Sequence, residues 1–107
     1  MTRATLPARR PNATHHAEHN GKAISITVGY DLTGRPMEVF ADGHREGSDM
    51  RALMSDACVV ISIALQRGAT PEELAHSLGT VPAYENGEHV QAHASLIGVI
   101  VAALKAT

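Results

Sequence analysis

Apolar and polar positions alternate most strictly from Lys22 to Tyr30, with Ile24, Ile26, Val28 and Tyr30 on one face and Ser25, Thr27 and Gly29 on the other. A period of two is that of a strand buried on one side, so this segment predicts a half-buried β-strand. Pro36 to Ala41 repeats the pattern, with Met37, Val39 and Ala41 opposed to Glu38 and Phe40, after a turn over Asp31-Leu32-Thr33-Gly34-Arg35. Upstream, the polar run Thr14 to His19 predicts an edge strand. Asn20-Gly21 then supplies the residue pair that readily takes positive φ in a two-residue hairpin. The three runs form an antiparallel meander.

The period then changes. Met50, Leu53, Met54, Ala57, Ile61, Ala64 and Leu65 recur at helical spacing, widened by Val59, Val60 and Ile63, which predicts one long helix between Gly47 and Gly68. Ser48 is its natural N-cap, Asp49 suits the positive dipole end, and Arg67 and Gly68 suit its close. From Ala57 onward hardly any face is polar, so the second half is expected to be enclosed on most sides. Thr70-Pro71-Glu72-Glu73-Leu74 starts a short helix that stops near Gly79. Val81 to Gly87 reads as a loop and Glu88 to Lys105 as a last, strongly apolar helix. The expected fold is α+β: a three-stranded antiparallel meander, then a long central helix, a short helix and an apolar C-terminal helix packed on one face. Residues 1–12, with Pro7, Pro11 and three arginines, lack periodicity and are expected to be a flexible arm, with residues 13–107 as a single domain. Two apolar helices on so small a sheet exceed what one chain hides, so a homodimer is expected.

Length and composition narrow this picture. A chain of 107 residues holds one core and not two. A net charge of -2 and a pI near 6.4 argue against a nucleic-acid binder that relies on a basic surface, so nucleic acid is not expected. The single cysteine, Cys58, excludes an intrachain disulfide and a multi-thiolate metal site, which suits a reducing compartment and places the chain in the cytoplasm. No apolar run follows Arg3, Arg9 and Arg10 to make a secretory signal. The longest apolar run, Ala94 to Leu104, is interrupted and falls short of the roughly 20 residues that cross a bilayer, so no membrane is expected.

Candidate chemistry is sparse. His44-Arg45-Glu46-Gly47-Ser48 leads into a helix start whose free N–H groups, hydroxyl and cationic side chains could hold an anion or nucleotide. Capping alone also explains the stretch, and Glu46 and Asp49 repel an anion. His89 and His93 share a face of the expected last helix, and His15 and His19 one side of the edge strand, as metal-binding pairs do. Such pairs are also common on solvated surfaces. Arg35 and Glu38, with Ser25 and Thr27, make either a ligand platform or the wet face of the sheet. Ser55, Ser62 and Gln66 lie to one side of the central helix and favour a packing seam. No nucleophile elbow or triad spacing stands out, so no catalytic residue and no cofactor is assigned.

The order Thr14-His15-His16, Ile26-Thr27-Val28-Gly29-Tyr30, Gly34-Arg35-Pro36-Met37-Glu38-Val39-Phe40, Gly47-Ser48, Ile61-Ser62-Ile63-Ala64-Leu65-Gln66-Arg67-Gly68 and Pro71-Glu72-Glu73-Leu74 resembles the TSCPD-type domain. That domain occurs near the C-terminus of adenosylcobalamin-dependent ribonucleotide reductases and as small free-standing proteins. The Thr-Ser-Cys-Pro-Asp string that names the family is absent, so no role resting on its cysteine carries over. The chain has neither a radical barrel nor redox cysteine pairs. The resemblance therefore implies a stand-alone accessory or regulatory module of nucleotide metabolism and DNA biosynthesis, non-catalytic alone, that binds a nucleotide or a ribonucleotide reductase-like partner. The alternatives are an oligomerisation module without ligand and a small histidine-based metal-binding protein.

Overall fold

The computed structural model describes residues 11–105, in the order β1 (Asn12–His19), β2 (Lys22–Tyr30), β3 (Pro36–Asp42), α1 (Asp49–Gln66), α2 (Pro71–Ala75), β4 (Thr80–Glu85), β5 (Glu88–His93) and α3 (Leu96–Lys105). Asn20 and Gly21 take φ values of 51° and 77° and fold β1 back on β2, pairing His19 with Lys22 and Asn12 with Gly29. β2 pairs in turn with β3, Val28 opposite Val39, so the sheet order is β1-β2-β3 and every pair is antiparallel. The strand β1 starts two residues before the expected Thr14, and Pro11 already accepts a hydrogen bond from the Tyr30 amide at 2.9 Å. Residues 1–10 of the expected arm lie outside the described residues.

Between β2 and β3 the Asp31 carboxylate gathers the turn. It accepts from the Thr33 amide and hydroxyl at 2.8 and 2.6 Å and from the Arg35 amide at 3.0 Å. These donors hold its pKa below the ordinary value, the Thr33 side chain contributing most.

The inward face of the sheet carries Ile24, Ile26, Val28, Tyr30 and Val39, all buried. α1 lies against β3 and supplies Met54, Cys58, Ile61 and Leu65; α3 lies against β1 and β2 and supplies Leu96, Ile100, Val101 and Leu104. Each fully buried aliphatic side chain contributes roughly 1.5–3 kcal/mol, so this cluster is what fixes the helices to the sheet. The outward face is polar, with the Thr14 and Thr27 hydroxyls hydrogen-bonded to each other at 3.0 Å and Phe40 exposed beside them.

Two expectations need correction. The last helix does not begin at Glu88. Asn86 and Gly87, with φ of 52° and 80°, make the same kind of turn as Asn20-Gly21, and β4 and β5 pair across it from Glu85–Glu88 to Thr80–His93. The segment read as a loop is thus a strand of a second, two-stranded sheet, and α3 begins only at Leu96. The second half of α1 is also not enclosed among the described residues: Val59, Val60 and Ile63 stand 55%, 66% and 50% exposed.

Candidate functional site

β3 is an edge strand, and the main-chain groups of Met37, Val39 and Ala41 that point away from β2 need partners outside the ladder. α1 supplies them. The Ser62 hydroxyl accepts from the Val39 amide at 3.0 Å and donates to the Val39 carbonyl at 3.4 Å. Gln66 Nε2 donates to the Met37 carbonyl at 3.2 Å, and the Ala41 main chain hydrogen-bonds Cys58. Four residues of helix rise about 6 Å and two residues of strand about 6.7 Å, so Cys58, Ser62 and Gln66 meet Ala41, Val39 and Met37 in matched steps of opposite direction. Arg35 completes the clasp by donating from its guanidinium to the Leu65 carbonyl at 3.2 Å, which also accepts from the Gly68 amide at 3.1 Å, at the C-terminal end of α1.

Burial pushes the Cys58 thiol up to about 11, against which the hydrogen bond from Ala41 works only in part. A thiol so protonated is a poor nucleophile near neutral pH. An open groove of about 970 Å³ runs beside the clasp, with Phe40, Val59 and Ile63 as its apolar wall and Glu38 and Arg67 among its polar residues.

The residues expected to hold an anion are not gathered. Arg35 sits at the C-terminal end of α1, and His44, Arg45, Gly47 and Ser48 lie before its N-terminal end, about 27 Å away along an 18-residue helix. The Ser48 hydroxyl accepts from the Arg51 amide at 3.1 Å and donates to the Arg45 carbonyl at 2.6 Å, so the cap occupies it. Arg51 bridges Asp42 at 2.6 Å and the His44 carbonyl at 3.2 Å, which ties the loop to the first turn. His44 turns inward and meets the buried His19 edge to face, ring centres 5.9 Å apart. His19 Nδ1, His44 Nε2 and His15 Nε2 are buried without a hydrogen-bond partner among the described residues.

The histidine pairs do not converge either. His89 and His93 lie on β5 rather than one turn apart on a helix; the first leans on Tyr84, ring centres 4.3 Å apart, and the second packs over Gly98. Four residues of strand separate Cα atoms by about 13 Å, and the same holds for His15 and His19 on β1. Among the described residues no group of three or more His, Cys, Asp or Glu side chains could hold a metal ion. No helix of the described residues is long and apolar enough to cross a membrane.

Of Ser55, Ser62 and Gln66, expected to line a packing seam, Ser62 and Gln66 bind the β3 main chain, and Cys58, which was not expected there, is the third member of that clasp. Their four-residue spacing, set against the two-residue spacing of β3, was the signal that could have joined the two motifs.

Fold and clasp together define a small α+β module whose distinctive polar side chains bind its own main chain. The protein belongs to the TSCPD domain family, whose family model matches residues 2–107. The vitamin B12-dependent ribonucleotide reductase of Agrobacterium fabrum is 38% identical over 71 residues, covering 66% of this chain and 6% of the reductase. That of Bradyrhizobium diazoefficiens is 29% identical over 94 residues, covering 88% of this chain and 7% of the reductase. The chain thus spans only a small part of the length of these relatives. No solved structure matches the chain significantly.

Proposed function

We propose that the protein is an accessory or regulatory module of ribonucleotide reduction, non-catalytic alone, which binds a reductase-like partner or a nucleotide and works as a cytoplasmic homodimer. The clasp is the observation that carries this reading. Ser62, Gln66 and Arg35, within two of the stretches that resemble the reductase domain, direct their polar groups to the main chain of β3 and α1 rather than to a substrate. Family membership and likeness to two reductases support the link to that chemistry.

The test is binding of the purified chain to a vitamin B12-dependent ribonucleotide reductase by calorimetry, with reductase turnover measured with and without it. A parallel thermal-shift series uses ATP, dATP, cobalamin, zinc and nickel. A ligand present at a hundred times its Kd stabilises by about 2.7 kcal/mol. For a domain of this size that raises Tm by roughly 10–20 °C. Binding to the reductase, or a shift with a nucleotide, is the expected result. Absence of both overturns the proposal, and a shift with zinc or nickel alone favours the histidine-based metal reading instead.

A further inference from the structure

The outward side of α1, opposite the buried Met54, Cys58, Ile61 and Leu65, carries Leu53, Asp56, Val60 and Ile63 and is continued by Arg67 at the C-cap, in steps of three, four, three and four residues. That is the spacing of a helix seam that meets another helix along its length. Leu53, Val60 and Ile63 are 51%, 66% and 50% exposed, Val59 flanks them, and Phe40 extends the apolar surface from β3 across the groove. The seam is apolar at its centre and charged at two places, acidic toward the N-terminus and basic at the C-terminal close.

We propose that this seam binds a second copy of the chain, with the two α1 helices antiparallel about a two-fold axis between Ile61 and Ser62. Reversing the helix about that point sets Val60 against the partner's Ile63 and Asp56 against the partner's Arg67, each contact made twice, as a two-fold interface requires. A parallel pairing would instead place Asp56 on Asp56 and Arg67 on Arg67, a like-charge arrangement that disfavours it. The charge pattern therefore selects both the occupant and its direction. The inference deepens the homodimeric part of the functional reading and stands whether or not a reductase is bound.

The experiment is sedimentation equilibrium of the full chain over low to high micromolar concentration, with circular dichroism as the folding control. The wild type is expected to dimerise. Asp56→Arg and Arg67→Asp each turn both end contacts into like-charge pairs and should weaken dimerisation by roughly ten- to a hundredfold. The double variant Asp56→Arg, Arg67→Asp should recover it. An equimolar mixture of the two single variants should also form heterodimers, because each then supplies the charge the other lacks. A folded wild type that stays monomeric at high micromolar concentration overturns the proposal and leaves the seam to a different protein. A dimer in which the single variants change nothing, or the double variant fails to recover, overturns the antiparallel register. Reductase binding by a monomeric wild type would separate failure here from failure of the link to ribonucleotide reduction.

Discussion

Cys58 shows how burial alone can decide what a reactive group does. With its thiol held near 11 and almost no exposed surface, about one molecule in a thousand carries the thiolate at pH 8. The folded protein should therefore resist iodoacetamide at pH 8 and react promptly once unfolded in denaturant; fast labelling of the folded state would contradict the placement. The same shift has a stability consequence. Between pH 9 and 11 the unfolded chain has lost the thiol proton and the folded chain still holds it, so the folded state binds more protons and stability falls as pH rises. The loss between pH 8 and pH 10, about 1 kcal/mol, should be missing from Cys58→Ala when urea midpoints at those two pH values are compared. Asp31 runs the other way: its lowered pKa contributes stability above the ordinary carboxylate value that fades as pH falls through it.

At the scale of elements, the same chemistry that ends α1 also explains the stretch expected to hold an anion. Ser48→Ala removes an acceptor for the Arg51 amide and a donor to the Arg45 carbonyl, and should cost about 0.5–2 kcal/mol in chemical denaturation. Added phosphate should not change that difference if capping is the hydroxyl's whole role. Caps and strict alternation were what made β1, β2, β3, α1 and the start of α2 legible in the sequence. Thr70 indeed closes a capping box with Glu73. The second hairpin was not legible because it lacks a buried face: Val81 and Tyr84 are 45% and 68% exposed, so no apolar alternation marks it. The oily run after Ala94 then drew the helix assignment backward over β5, although Asn86-Gly87 carried the same turn signal as Asn20-Gly21. The clasp was half legible. Ser62 and Gln66 could be placed on one side of a helix, but which strand edge they serve depends on the chain folding back through the 43–48 loop, which no local pattern encodes.

For the whole molecule, α1 is the joint between the meander and everything after it. Its inner side enters the core with α3, its flank closes the edge of β3, and its outer side carries the seam proposed to meet a second copy. Closing an edge strand with side chains also removes a template on which other chains could add strands. Two of the stretches that resemble the reductase domain, Gly34 to Phe40 and Ile61 to Gly68, are thus accounted for by architecture: the first leads into and forms most of β3, the second forms the end of α1, and they hold each other. Ser62→Ala should strand the buried Val39 amide and destabilise the fold by about 1–3 kcal/mol. The most direct measurement of the clasp is native-state hydrogen exchange at that amide. Val39 should be protected like the interior amides of α1 in the wild type and lose that protection in Ser62→Ala, while Val28 on β2 changes only by the global loss of stability. Rapid exchange at Val39 in the wild type, as at an open strand edge, would contradict it.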